Sequence, residues 1–263
     1  MWLLYNKELG LKKSHWTNEQ IREWVESQKG HNYWYQTIEL KDDIVIKGTI
    51  DSIKRLEQLN LDENLTGKSV LDIGCNSGML CLESKKRGAD RVVGIDLQEN
   101  RLEQARTISE IMNMDIEYKN IDLFNTSELG KFDIVFCIAV LTEVTDLIKG
   151  MEILKEITNE VLYLEIAMAE SEIGKRNLLY VIINKILDIN FRKIINSFKP
   201  TLFKSQYYGN ARLRRIDSRR MKGWALDPDI RFVHAVMGDE FKIYDLGNSV
   251  RYHLFKMVRN NKI

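Results

Sequence analysis

Val70-Leu71-Asp72-Ile73-Gly74-Cys75-Asn76-Ser77-Gly78 is an apolar run that ends in two glycines and leads into Met79-Leu80-Cys81-Leu82. Such a run predicts a buried strand, a tight turn and the start of a helix. Glycine at 74 and 78 lets the backbone turn sharply and lets a ligand approach without a Cβ in the way. The spacing is G-x-x-x-G, whereas a dinucleotide fingerprint needs G-x-G-x-x-G, and Asp72 stands two residues before the first glycine. A carboxylate at that place repels a pyrophosphate and suits a cationic amine or sulfonium. A nicotinamide dinucleotide is therefore disfavoured.

On either side of this segment, strand and helix patterns alternate. Strands are expected at 69–73, 91–96, 115–118, 132–138 and 160–165, with helices at 77–87, 98–112 and 147–158 between them. This alternation implies right-handed crossovers, a parallel sheet with helices on both faces, and a ligand outside the carboxyl ends of the strands. The pattern Glu240 to Leu246, Gly247-Asn248-Ser249, Val250 to Val258 reads as a hairpin that adds an antiparallel pair to the sheet edge. Thr17-Asn18-Glu19-Gln20 reads as a capped helix start, and 31–40 as an extended aromatic segment. Four regions follow: an N-terminal extension (1–66), a nucleoside-binding core (67–169), a basic helical insertion (170–222) and a C-terminal hairpin (223–263).

The acids fall where such a core needs them. Asp96 ends the second strand, 18 residues after Gly78, where a carboxylate can accept hydrogen bonds from both ribose hydroxyls of a nucleoside. Asp122, beside Leu123, follows the third strand, within reach of an adenine amino group. Cys137-Ile138-Ala139 closes the fourth strand beside the same place.

Residues 67–169 resemble the core of the class I S-adenosylmethionine-dependent methyltransferases. The resemblance rests on Leu71 to Gly78, Asp96, Asp122 and Phe132 to Cys137. It implies a Rossmann-like, doubly wound sheet of seven strands with a reversed final hairpin, and S-adenosyl-L-methionine as cofactor. The residues implied to hold it are Asp72, Gly74, Cys75, Asn76, Gly78, Asp96, Leu97, Asp122, Leu123, Cys137, Ile138 and Ala139. Asn76 stands where many members have glycine, and asparagine tolerates left-handed backbone. Trp34 to Leu40 further resembles a branch that includes enzymes modifying wobble uridine in tRNA. By that likeness Tyr35, Gln36 and Lys54 fall near the cofactor. Cys75 is read as a small filler whose backbone N–H faces the ligand, rather than as a reactive thiol.

Composition bounds the function. The 263 residues carry 39 Lys and Arg against 38 Asp and Glu, which excludes a uniformly basic nucleic-acid coat. The charge is uneven, however: residues 174–222 hold thirteen Lys and Arg but only Asp188 and Asp217 as acids, giving +11. A lid with that excess favours a small anionic acceptor held by arginine pairs, and RNA is the rival partner. Leu178 to Ile195 reads as the helix of that insertion rather than a membrane anchor, since no apolar run reaches the roughly 18 residues a spanning helix needs, while Lys185, Arg192 and Lys193 leave a lipid-surface role open. Three cysteines without paired metal-site spacing, and an apolar N-terminus cut short by Asn6-Lys7-Glu8, point to a reducing cytoplasm and to no metal.

Chemistry beyond the cofactor is less defined. A hydroxyl acceptor needs a proton acceptor, and Glu143, His31 and His234 are the candidates. A solvated helix-start acid is the competing reading of Glu143, and an ordinary surface histidine that of the other two. Three activities remain open: a methyltransferase for a phosphorylated or nucleotide-linked sugar or a surface-glycan precursor, an RNA methyltransferase, and a non-catalytic cofactor-binding partner subunit.

Overall fold

The computed structural model describes residues 15–28, 34–144, 146–168, 211–217, 222–228, 230–248 and 252–260. His31, the helix expected at 178–195 and most of the basic region lie outside these residues. The chain divides into two units, residues 1–136 and 137–263.

The first unit begins with α1 (Asn18–Ser27), whose cap, expected at Thr or Asn, is Thr17 in a capping box. The Thr17 hydroxyl accepts from Gln20 N at 3.2 Å and Gln20 Oε1 accepts from Thr17 N at 2.9 Å. Ile21 and Val25, four residues apart, form its buried face. Two short antiparallel strands follow, β1 (Ile38–Glu39) and β2 (Val45–Ile46), then α2 (Ser52–Leu59). The core alternates β3 (Ser69–Ile73), α3 (Met79–Lys86), β4 (Arg91–Ile95), α4 (Glu99–Ile111) and β5 (Glu117–Lys119). β3 and β4 pair in parallel with Leu71 against Val93 and Ile73 against Ile95, and β4 pairs in parallel with β5. Leu102, Ala105, Ile108 and Ile111 give α4 a buried face at helical spacing. A 3-10 helix, Leu123–Leu129, leads to β6 (Phe132–Ile138). The starts of β3 and β6 are tied by Ser69, whose N and Oγ donate to Asp133 Oδ2 at 2.8 and 2.7 Å.

In the second unit a short 3-10 turn, Leu141–Glu143, precedes α5 (Leu147–Ile157) and β7 (Thr158–Ala167). β8 (Ala211–Asp217) and β9 (Lys222–Pro228) form a separate antiparallel hairpin with Arg212 opposite Asp227 and Arg215 opposite Trp224. The Arg212-Leu213-Arg214-Arg215 stretch, which follows the helical segment expected at 178–195, is part of β8. α6 (Ile230–Met237), β10 (Phe241–Asn248) and β11 (Tyr252–Arg259) complete the unit. The predicted C-terminal hairpin is present: β10 pairs with β11 and β11 with β7, both antiparallel. Arg259 fastens its end, donating from Nη1 to Glu240 Oε2 at 2.6 Å, from Nε to Thr158 O at 2.9 Å and from Nη2 to Lys155 O.

The seven-stranded sheet has the order β10-β11-β7-β6-β3-β4-β5. The order reverses at β3, which places the switch point at the carboxyl end of that strand, beside Asp72 and Gly74. Among the described residues no helix is long and apolar enough to cross a membrane.

Candidate functional site

The loop after β3 is built from three left-handed residues in alternation, Gly74 (φ 72°), Asn76 (φ 54°) and Gly78 (φ 84°). Its backbone donors are all taken up within the protein. Gly74 N and Cys75 N both donate to Ile95 O, at 2.8 and 2.9 Å, and Asn76 N donates to Asp96 Oδ2 at 3.0 Å. Ser77 N donates to Asn76 Oδ1 at 2.8 Å, Gly78 N to Cys75 O at 2.9 Å and Met79 N to Gln36 Oε1 at 3.2 Å. A phosphate bound at a helix start needs such N–H groups. Here those from Gly74 to Met79 are occupied, which disfavours a pyrophosphate seated on the loop. The N–H of Cys75, expected to face a ligand, is turned into the sheet instead, and its thiol is buried.

Gly78 also has a second role. A Cβ built there would meet Tyr118 Oη at 2.5 Å, and one on Gly94 would meet the same ring at 2.8 Å. The space left by both glycines is thus filled by Tyr118, whose hydroxyl bonds Ser109 Oγ at 3.0 Å under the loop. Tyr118 was missed in the sequence because its partners lie on other elements. Gly78→Ala combines left-handed strain with this clash and is expected to cost about 2 kcal/mol or more. Equilibrium urea unfolding measures the loss. Tyr118→Phe in the same chain should recover part of it, a coupling that strictly additive effects would disprove.

Two acids flank the loop. Asp72 is 2% exposed; its carboxylate accepts from the Cys81 thiol at 3.5 Å, and burial pushes its pKa up from 3.8 to about 7. The Cys81 thiol lowers it and the charge of Asp96 raises it further. Asp96, 7% exposed, ends β4 with Oδ2 on Asn76 N and Oδ1 on Gln98 N at 2.9 Å. Asn120 Nδ2 donates to Asp96 O at 3.3 Å, which brings the end of β5 to the same place. Leu97 follows with 63% of its surface exposed, an apolar face beside the acid. Asp122 caps the 3-10 helix through Phe124 N at 2.8 Å, so one of its oxygens has a structural task, and Leu123 is buried behind it.

The N-terminal segment reaches this loop through Gln36, which is buried, while Tyr35 is exposed and fixed by its carbonyl to Ile50 N at 2.8 Å. Lys54 lies exposed on α2, with its N–H on Asp51 Oδ1.

In the second unit Cys137 is buried, Ile138 ends β6, and Ala139 is left-handed at φ 61°, with its N–H on Glu165 O at 3.0 Å. Thr142 Oγ1 donates to Ala139 O at 2.6 Å and holds that conformation. A strained non-glycine residue at a strand end is a recurrent mark of a functional site. Glu143 is exposed at the end of the short 3-10 turn, near which β9 passes. Glu165, 6% exposed and close to the carboxyl end of β7, is a buried acid that periodicity alone did not single out. His234 is exposed on α6, two residues before Val236, whose carbonyl accepts from Lys155 Nζ at the opposite, amino end of β7. His234 thus lies toward the amino end of β7.

Sheet order and acid placement together define a class I, Rossmann-like methyltransferase fold. Residues 70–160 match the family model described as a methyltransferase domain. Among curated proteins, the ubiquinone biosynthesis O-methyltransferase of Neisseria meningitidis serogroup C is 39% identical over 95 residues, 35% of this chain and 40% of that protein. The ribosomal protein L11 methyltransferase of Thermosipho africanus is 44% identical over 69 residues, 26% of each chain. The chain thus spans less than half the length of these two relatives. Among solved structures, the N-terminal domain of EvdMO1 with SAH bound has a TM-score of 0.63 at 14% identity, covering 95% of this chain and 99% of that one. Magnesium protoporphyrin IX methyltransferase from Synechocystis PCC 6803 with bound SAM has a TM-score of 0.50 at 19% identity, covering 79% and 77%. These likenesses are of fold.

Proposed function

We propose that the chain is an S-adenosylmethionine-dependent methyltransferase acting on a small anionic acceptor, such as a phosphorylated or nucleotide-linked sugar or a surface-glycan precursor. The observation that carries the reading is the pair of buried acids, Asp72 and Asp96, on a glycine loop whose N–H groups are already engaged. That arrangement suits a nucleoside with a cationic arm. Asp96 would take the ribose hydroxyls, Leu97 would cover the base, and Asp72 would face the positive end. Tyr35, Asp122, Leu123, Cys137, Ile138 and Ala139 are the further contacts that the family resemblance implies.

The cofactor supplies a methyl group activated on a sulfonium. The residues of the chain bind it and hold the acceptor in line, and positioning accounts for much of the acceleration in such a transfer. Glu143 is the side chain proposed to take a proton from a hydroxyl acceptor. The excess of Lys and Arg over 174–222 favours an anionic acceptor, and the same excess is what supports RNA as the second reading.

Isothermal titration of the full chain is expected to show saturable binding of S-adenosylmethionine and S-adenosylhomocysteine. Labelled methyl transfer should then be scored on sugar phosphates, nucleotide sugars and bulk tRNA. Label in tRNA alone, with affinity that falls steeply between low and moderate salt, would replace the small acceptor by RNA. Binding without transfer to any acceptor would favour a non-catalytic partner subunit.

A further inference from the structure

Gln36 lies 9% exposed against the glycine loop, and both ends of its amide are engaged. Nε2 donates to Cys75 O at 3.3 Å, and Oε1 accepts from Met79 N at 3.2 Å. Met79 opens α3, and the preceding residue, Gly78, has no side chain with which to cap that helix. A helix start leaves its first N–H groups without intrahelical partners. Gln36 therefore provides from 43 residues away what a local Ser or Asp normally provides. The backbone behind it is fixed. Gln36 bridges Ile50, Thr37 N donates to Ile50 O at 3.1 Å, and Gly48 lies so close that a Cβ on it would overlap the Gln36 carbonyl and meet Thr37 N at 2.7 Å. Ser52 Oγ also donates to Thr37 O.

We infer that Gln36 is a positioning residue through which the N-terminal segment 34–50 sets the shape of the cofactor loop, and so the cofactor affinity. This rests on the cofactor reading above. With both amide ends turned into the protein, Gln36 acts on the loop and not on the ligand. The role is independent of acceptor chemistry.

The test uses the full chain and S-adenosylhomocysteine. Gln36→Met keeps the volume and removes both hydrogen bonds. It is expected to weaken binding about tenfold or more and to speed hydrogen exchange at the Met79 amide. Gln36→Glu keeps the acceptor for Met79 N, loses the donor to Cys75 O and should fall between. Ile21→Ala, in the buried face of α1, controls for general destabilisation: its melting temperature should drop while its affinity stays at the wild-type value. Wild-type affinity in Gln36→Met overturns the positioning role and leaves the cofactor reading intact. A wild-type chain that binds no S-adenosylhomocysteine overturns the cofactor reading, and this role with it. Equal affinity losses in Ile21→Ala and Gln36→Met would reduce Gln36 to a stability residue and overturn the inference as well.

Discussion

Asp96→Ala will bring S-adenosylhomocysteine binding down by roughly a hundredfold or more. Two effects combine in that number. In the proposed site the carboxylate is the acceptor for the ribose diol, and hydrogen bonds to a charged group are worth about 1.5–3 kcal/mol each, so losing two would cost about two to four powers of ten in affinity. It also holds the loop, since Asn76 N and Gln98 N lose their acceptors when the side chain is cut back. Asp96→Asn separates the two effects. One amide oxygen can still serve a backbone N–H, so the loop should persist while the charge is gone, and binding should fall less than in the alanine variant. Titration calorimetry on the three proteins decides the matter. Undiminished binding in Asp96→Ala would remove the site from this strand end altogether.

Asp72→Asn is expected to make the empty protein more stable at pH 8 and its ligand binding weaker. The carboxyl has an unfolded value of 3.8 and a folded value of about 7, raised chiefly by burial. The folded state therefore holds its proton more tightly. Below pH 3.8 the group costs the fold nothing, the cost grows as pH climbs towards 7, and above 7 it is fully present, at about 4 kcal/mol as an upper figure. Asparagine removes that cost and can still accept from the Cys81 thiol. The stability gain should thus appear at pH 8 and vanish near pH 4, as read by urea unfolding at both values. Binding should respond in the opposite sense. A cationic ligand beside the carboxylate favours its anion, so affinity for S-adenosylmethionine should rise as pH crosses 7 in the wild type and stay flat in Asp72→Asn. The same pH slope in both proteins would show that Asp72 is not the titrating group. A buried acid that destabilises the fold and serves the proposed ligand would be an exchange of stability for function.

The core was legible because its signals are local. Val70 to Ile73, Arg91 to Ile95 and Phe132 to Ile138 are short apolar runs bounded by turns, and Leu102, Ala105, Ile108 and Ile111 repeat at helical spacing. Asp96 could be placed because the end of a strand is a position in the sequence as much as in space. The contacts made at long range were not legible. Nothing near Gln36 announces that its amide caps a helix in the core, and nothing near Gly78 says that Tyr118 will occupy the missing Cβ. Asp122 shows a further limit, since an acid after a strand serves equally as a ligand and as the cap of a 3-10 helix. The basic stretch at 212–215 was legible as charge but not as a strand, because the adjacent Arg214 and Arg215 break a two-residue period and its partner strand lies further along the chain.

The position of β11 bears on how the second unit is made. This strand pairs with β7 on one side and β10 on the other, so β7 must wait for a partner that follows it by more than eighty residues. Contacts that distant are slow to form, because loop-closure entropy is lost before the pairing is gained. Until Tyr252 to Arg259 has left the ribosome, the apolar edge of β7 stands open to other chains. Expression yield in this protein should therefore depend on how quickly the final hairpin is delivered.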